Sequence, residues 1–349
     1  VFAERQLESI SEFDLEVVPG LNAGQKIIPL ETAGCYVPGG RYSHIASALM
    51  TVTTAKAAGV KNIIACTPPN SNVIGAEPIS NEMLYTLNLC GADKIFLVGG
   101  VQAIALMANG LLGTQKADII VGPGNQYVAE AKRQIFGATG IDLLAGPTDV
   151  LIIADEEADA ELVATDLVSQ AEHGYNSPVW LVTTSNILAQ KVVQLVPEII
   201  KKLPAQNKSN ASQAWQELGE IILCSTTKEV VEVANKIAPE HLHVQATELD
   251  WWKGELTAYG SLFLGEETTV AFGDKAAGPN HVLPTSGAAK YTGGLSVHKF
   301  IKVVTWQKAE RGSLSRLAEA TANISRLEGM EGHALSADVR LQKYRKEEY

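Results

Sequence analysis

Residues 117–137, ADIIVGPGNQYVAEAKRQIFG, contain an apolar run, a glycine turn and an amphipathic stretch, in the order that decides the fold. The run is short enough for a buried strand, and the stretch after the turn has helical spacing. Strands that pass through a turn into a helix build parallel sheets with crossover helices. Because this order recurs on both sides of the segment, we predict an α/β protein.

The alternation of apolar runs and amphipathic stretches forms two series. Two such series predict two Rossmann-like, doubly wound domains with a cleft between them. The predicted strands of the first series are 61–69, 94–100 and 117–125, and those of the second are 149–156, 178–184, 220–226, 241–247 and 261–265.

The pattern changes beyond about residue 285, where a loop-rich stretch leads into a predicted helix over 307–330. We expect this tail to have no strand and to dock on the same chain or on a partner subunit. The chain begins without Met in a segment typical of a helix interior, so we expect further residues upstream of Val1.

Charge and cysteine content exclude several classes of protein. The 349 residues carry 28 Lys and Arg against 39 Asp and Glu, for a net charge of −11. An acidic chain without a basic block lacks the charge pattern of a nucleic-acid-binding protein. Four scattered cysteines are typical of a reducing compartment. Without a signal peptide or a membrane span, since residues 95–113 are interrupted by glycines, we expect a cytoplasmic location.

Polar clusters after the apolar runs are candidates for chemistry. Gln170 and His173 share one face at the end of a predicted helix and can converge on an ion, although an ordinary polar helix end has the same pattern. Glu240 and His241 enter a predicted strand as a carboxylate and an imidazole, the types needed for acid–base work. An exposed loop pair is the alternative. If the strand is regular, His243 points to the same side as His241.

Glycines surround two further candidates. Asp274 and His281 lie in glycine-flanked loops and carry oxygen and nitrogen donors that zinc accepts, although a turn without chemistry is equally possible. Glu328 and His333 are separated by glycines that predict a bend rather than one helix. The turn at 122–125, GPGN, resembles a phosphate-binding turn but lacks the third glycine of the dinucleotide fingerprint.

Taken together, these motifs resemble the histidinol dehydrogenase family. The resemblance covers nearly the whole chain, because the segments occur in the order of the family. They are YVPGG (36–40), GGVQAIA (99–105), VGPGNQYVAEAKRQIFG (121–137), GIDLLAGPTDVLIIADE (140–156), SQAEHG (169–174), APEHL (238–242), GPNHVLPTSG (278–287) and EGMEGH (328–333).

The resemblance implies an enzyme that oxidises a primary alcohol through an aldehyde to a carboxylate, with zinc bound and two NAD reduced. It assigns zinc binding to Gln170, His173, Asp274 and His333. Glu240 and His241 would be catalytic. It assigns substrate binding to Thr148, His281 and Glu328, and NAD binding to Tyr36, Gln102 and Asn125.

The resemblance also implies the division of the chain. One Rossmann-like domain would comprise 1–35 and 148–295 and carry most zinc and substrate residues, and the NAD-side domain would comprise 36–147. The tail, 296–349, would pack on the partner in a homodimer and complete the partner's site with Glu328 and His333.

The sequence does not decide between two substrates. Arg41, Lys275 and Lys290 are cations that could meet an anionic substrate, or they could be solvated surface charges. The run over 266–271 is similar to a branch that includes sulfopropanediol 3-dehydrogenases. L-Histidinol and a sulfonated propanediol are both candidate substrates. A zinc lyase and a non-catalytic solute-binding protein are the alternatives of other classes.

Overall fold

The structure is a computed structural model that describes residues 1–39, 44–70, 77–311 and 314–345. Contacts divide the chain into two units. The first contains Val1–Leu7 and Leu30–Phe300, and the second contains Glu8–Pro29 and the chain from Ile301 onward. No helix of the described residues combines the length and the apolar character needed to cross a bilayer.

Strands and helices are numbered along the chain. The strands are β1 (Phe13–Val18), β2 (Leu21–Pro29), β3 (Thr32–Tyr36), β4 (Asn62–Cys66), β5 (Lys94–Phe96), β6 (Ile119–Val121), β7 (Gly140–Ile141), β8 (Val150–Ala154), β9 (Val179–Thr183), β10 (Gly219–Leu223), β11 (His241–Gln245), β12 (Ser261–Leu264) and β13 (Ile301–Ala309). The α-helices are α1 (Phe2–Glu8), α2 (Ile45–Ala57), α3 (Asn81–Cys90), α4 (Gly100–Asn109), α5 (Gln126–Ile135), α6 (Ala160–Ala171), α7 (Asn186–Lys201), α8 (Ala205–Leu218), α9 (Thr227–Ile237), α10 (Leu249–Glu255), α11 (Val270–Lys275), α12 (Leu314–Leu327) and α13 (Glu331–Arg345). Short 3₁₀ helices cover Ala288–Lys290 and Val297–Phe300.

The first unit holds two parallel five-stranded sheets, which confirms the predicted α/β fold. The strand order is β5-β4-β3-β6-β7 in one sheet and β10-β9-β8-β11-β12 in the other. In each sheet the strand that comes first along the chain, β3 or β8, lies in the middle, and later strands are added on both sides of it. The direction of strand order reverses at that point, and a crevice forms there at the carboxyl ends of the strands. Along the chain, the first of these sheets begins with β3 at Thr32. Its first strand therefore starts ahead of residue 36, where the NAD-side domain is predicted to begin.

The strand β8 shows why the apolar runs do not alternate with polar residues. All five of its residues are buried. Val150 and Ile152 pack into the core that contains α6, whereas Leu151 and Ile153 pack into the core on the opposite face. Helices cover both faces of a parallel sheet, so both sides of the strand must be apolar.

The second unit contains an antiparallel sheet, β1-β2-β13, and a helical hairpin. The predicted helical tail is confirmed by α12 and α13, which pack through small side chains at Ala318, Ala322, Ala334 and Ala337. The expectation of a tail without a strand is wrong, because β13 pairs with β2 along its whole length. Its partner is distant in sequence and most of its residues are exposed, so local apolar patterning does not reveal it.

Candidate active site

The amino ends of two neighbouring strands place Glu240 beside Thr148 and Asp149. His241 at the start of β11 lies opposite Val150 at the start of β8. Glu240 Oε2 accepts hydrogen bonds from Thr148 Oγ1 at 2.5 Å and from the Asp149 amide at 3.2 Å. The Glu240 amide in turn donates to Asp149 Oδ1 at 2.7 Å. These bonds fix the buried Glu240 carboxyl group in one orientation.

The two buried carboxyl groups, those of Glu240 and Asp149, have pKa values above the usual range. Burial raises the pKa of Glu240 well above its usual value and outweighs the hydrogen bond from Thr148, while the charge of Asp149 raises it further. Burial also raises the pKa of Asp149 to about 6. A carboxyl group whose pKa lies nearer to neutrality becomes a better proton acceptor once it is ionised.

The ring of His241 has a defined tautomer. His241 Nδ1 lies 2.7 Å from the carbonyl oxygen of Asp149, which only accepts hydrogen bonds, so Nδ1 carries the proton. Burial and the neighbouring His281 lower the pKa of His241 to about 3. A neutral ring with its proton on Nδ1 presents Nε2 as a lone pair, and this nitrogen lies 2.7 Å from His281 Nε2. Nε2 is therefore the atom of His241 that can accept a proton, although the lowered pKa makes it a weaker acceptor than an exposed imidazole.

A cavity of about 550 Å³ lies in the first unit beside these groups. Burial lowers the pKa of His281, which lines it, to about 4. The cavity is also lined by Gln170, His173, Asp274, Lys275 and His44. Imidazole, amide, carboxylate and ammonium groups thus face one space.

Three of the four predicted metal donors meet at this cavity. Gln170 lies in α6, with His173 just beyond it, and Asp274 lies in α11. His173 Nε2 lies 4.0 Å from Asp274 Oδ2, so the two groups would have to approach each other to reach the separation of about 3.3 Å that two ligands have on a tetrahedral zinc ion. Gln170 donates its amide nitrogen to Thr148 Oγ1 at 2.6 Å, which leaves its amide oxygen as the atom that can bind an ion.

A second set of potential metal donors shares Asp274 with the predicted set. Nitrogen or oxygen atoms of His241, Asp274 and His281 lie within 4.8 Å of one another. The two Nε2 atoms are 2.7 Å apart, whereas two nitrogens on a tetrahedral zinc are separated by about 3.3 Å. The distance between the imidazoles therefore fits a hydrogen bond better than shared coordination.

The predicted NAD residues cluster at the crevice of the first sheet. Tyr36 ends β3, and its hydroxyl oxygen accepts a hydrogen bond from the Gly100 amide at 3.1 Å. Gln102 is exposed in the first turn of α4, which starts at Gly100 without a side-chain cap. Asn125 follows β6 and caps α5 by accepting hydrogen bonds from the Tyr127 and Val128 amides. Apart from the Gly100 amide, the amides of the first turn of α4 have no side-chain cap, which suits a phosphate group.

Other predicted residues lie elsewhere. Glu328 and His333 belong to the second unit and are exposed. The predicted bend between them is present, with Gly329 at φ 74°. Lys290 is exposed and is not among the cavity-lining residues, and Arg41 lies outside the described residues.

Sequence reasoning missed a buried network behind the cavity. His243 is fully buried, on the same side as His241 as predicted, and its Nε2 lies 2.9 Å from the Gly265 carbonyl. Gln245 Nε2 contacts His243 Nδ1 at 3.3 Å and donates to Asp166 Oδ2 at 2.8 Å. Asp166 Oδ1 accepts from Thr269, the residue that caps α11. The network ties together α6, β11 and α11, three of the elements that carry site residues, and only His243 carried a signal in the sequence.

Comparisons with known proteins identify the family of this chain. The family model described as histidinol dehydrogenase matches residues 1–341. A sulfopropanediol 3-dehydrogenase from Ruegeria pomeroyi is 61% identical over 343 residues, which are 98% of this chain and 78% of the relative. A histidinol dehydrogenase from Gluconobacter oxydans is 40% identical over 95% of this chain and 76% of its own. The crystal structure of histidinol dehydrogenase from Elizabethkingia anophelis has a TM-score of 0.92 at 36% identity, and the match covers 98% of this chain and 78% of that one.

Proposed function

Because the chain belongs to the histidinol dehydrogenase family, we propose that it oxidises a small polar primary alcohol to a carboxylate, with zinc bound at the cavity and two NAD reduced. Membership of this family makes the chain a dehydrogenase. The observation that carries the proposal is the fixed tautomer of His241, whose Nε2 lone pair lies against His281 at a cavity with metal donors. A general base in that position suits removal of an alcohol proton.

His241 and Glu240 have different roles in the two proposed oxidations. When bound, zinc would hold and polarise the substrate oxygen, and NAD would accept the hydride. His241 Nε2 takes the alcohol proton in the first oxidation. Glu240 then takes a proton from the water that adds to the aldehyde. His241 releases the first proton to solvent and serves again as the base in the second oxidation. Thr148 positions the Glu240 carboxyl group through its hydrogen bond.

The donor set suits zinc that serves catalysis. Gln170, His173 and Asp274 offer an amide oxygen, an imidazole and a carboxylate at one cavity, and His333 would supply a second imidazole. Sites of oxygen and nitrogen donors can leave a position for substrate, whereas four-thiolate sites are closed. His281 and Glu328 would then contact the substrate.

The crevice of the first sheet suits NAD. Tyr36 and Asn125 lie at the carboxyl ends of β3 and β6, where the strand order reverses. Dinucleotides bind at such positions, with the pyrophosphate at a helix N-terminus. Gln102, in the first turn of α4, is the third residue that we assign to NAD binding.

Lys275 favours a substrate with an anionic end. It lines the cavity next to Asp274, and an ammonium group there would pair with a sulfonate. The relative with 61% identity is named a sulfopropanediol 3-dehydrogenase, and the named histidinol dehydrogenase is 40% identical. We therefore place 2,3-dihydroxypropane-1-sulfonate ahead of L-histidinol, which stays the second candidate.

An NAD-reduction assay tests the function directly. Zinc-loaded protein is mixed with each enantiomer of dihydroxypropanesulfonate or with L-histidinol, and absorbance at 340 nm gives the NADH formed per alcohol. We expect two NADH per sulfonated alcohol. One NADH would contradict the second oxidation. None with any of the alcohols would favour a lyase, or, if the protein also holds no zinc, a solute-binding protein.

Replacing Lys275 with methionine is expected to raise KM for the sulfonated alcohol by about tenfold or more, because an interaction with a charged group is lost. KM for NAD should not change. Lys290→Met is the matched control, since this exposed lysine is not among the cavity-lining residues. Equal effects of the two substitutions on KM would remove Lys275 from substrate recognition.

The second unit supports a homodimer. It exposes many large apolar side chains, and such surfaces mark interaction sites in soluble proteins. They include Phe13, Leu15, Val17, Val303, Ile324, Leu327, Leu335 and Val339. We propose that this unit packs on a second copy and brings Glu328 and His333 to its site.

A further inference from the structure

Among the described residues, a buried ion pair has no role in the proposed reaction. Lys132 in α5 is 2% exposed and Asp142 beyond β7 is 4% exposed, and the two form an ion pair. Burying an ammonium group is costly unless it is paired and hydrogen-bonded. A buried lysine in α5 is therefore unusual unless its ammonium group fixes the position of another part of the chain.

The pair binds both sides of one glycine. Lys132 Nζ donates to the Gly122 carbonyl oxygen at 3.1 Å. Asp142 Oδ2 accepts from the Gly122 amide at 2.7 Å, and its Oδ1 accepts from the Leu143 amide at 2.7 Å. Every hydrogen-bonding group of the Gly122 backbone is thus engaged by the pair.

The glycine itself lies at the crevice of the first sheet. Gly122 follows β6, has φ 113°, and a Cβ atom there would lie 2.0 Å from the Tyr36 carbonyl oxygen. No other residue fits this approach of two chain segments. The turn continues through Gly124 to Asn125, the cap of α5.

We propose that Lys132 and Asp142 are positioning residues for the dinucleotide: they hold the Gly122–Gly124 turn so that Tyr36 and Asn125 keep the spacing that NAD requires. This role rests on the proposed use of NAD. The pair does not contact the cofactor itself. It acts through the backbone of the turn, and its loss should weaken NAD binding far more than zinc binding. Pro123 of the turn lines the zinc cavity, but the zinc donors Gln170, His173 and Asp274 lie on elements of the other sheet.

The experiment compares NAD affinity with zinc affinity in the zinc-loaded full chain. The double variant Lys132→Met/Asp142→Leu removes both charges, because removal of one partner would leave a buried unpaired charge. We expect its Kd for NAD, measured by titration calorimetry, to rise about tenfold or more, while zinc affinity in a chelator competition stays within twofold. Lys132→Gln/Asp142→Asn is a second variant, should the first one fail to fold, because it also removes both charges but keeps polar groups that can hydrogen-bond to each other. The shorter glutamine amide cannot engage both the residue at 142 and the Gly122 carbonyl oxygen, and the same weakening of NAD binding is expected.

A matched control exists on the same helix. Arg133 and Glu130 form an exposed ion pair in α5, and Arg133→Met should leave the Kd for NAD unchanged. A folded double variant with wild-type NAD affinity would overturn the positioning role alone, as would parallel losses of NAD and zinc affinity. Wild-type protein that binds zinc but not NAD would overturn the proposed function and this role with it.

Discussion

Replacing Glu240 with glutamine is expected to slow the oxidation of the aldehyde by about 10²–10⁴-fold, the usual contribution of a positioned proton-transfer group. The amide oxygen of glutamine can still accept the hydrogen bonds from Thr148 and Asp149 that hold the carboxyl group. It cannot take a proton from water, so only the step that adds water to the aldehyde should suffer. Alcohol oxidation should change by less than about tenfold.

Separate assays of the two half-reactions measure this difference. Wild-type and variant enzyme are each supplied with the alcohol or with the corresponding aldehyde, and single-turnover NADH formation is followed. NADH per alcohol should fall from two towards one. Glu220→Gln is the control, because Glu220 is an exposed carboxylate on β10 of the same sheet. Equal losses in both half-reactions would reassign Glu240 to a structural or binding role.

The parts of the fold that the sequence predicts are those whose signal is local. Strand β8 is a run of five apolar residues because both of its faces are covered. The signal for this strand therefore lies in consecutive residues. The pairing of β13 with β2 is different, since it depends on hydrogen bonds to a segment some 270 residues away. Most of β13 is exposed, so its sequence carries no alternation that would indicate a strand.

The candidate site divides in the same way. Residue types and their order suggest Glu240, His241 and Asp274, because carboxylates and imidazoles beside glycines and strand ends are recognisable. The tautomer of His241 depends on the backbone carbonyl of Asp149, which no residue type specifies. Lys132 has the appearance of a surface lysine on an amphipathic helix, and only its partner Asp142 explains its burial. Interactions with backbone atoms and buried charge pairs are thus the features that required the structure.

A mixture of two inactive chains, Asp274→Ala and His333→Ala, is expected to recover about a quarter of wild-type activity if each site takes its last zinc ligand from the partner in a symmetric dimer. In a mixed dimer the chain with intact Asp274 receives the intact His333 of the other chain, so one of its two sites is complete. Random exchange of equal amounts makes half of the dimers mixed. Each variant alone has a damaged ligand set at every site and should show neither bound zinc at wild-type affinity nor NADH formation.

The matched control mixes Asp274→Ala with His173→Ala chains. His173 and Asp274 approach within 4.0 Å in one chain, so exchange of subunits cannot rebuild a complete set of donors, and no activity should return. Activity that fails to return in the first mixture, despite exchange shown by a tag pull-down, would mean that His333 acts within its own chain or does not bind zinc. The zinc content of the His333→Ala protein separates these two outcomes. If His333 binds zinc within its own chain, its removal lowers the zinc affinity; if His333 does not bind zinc, the affinity stays at the wild-type value.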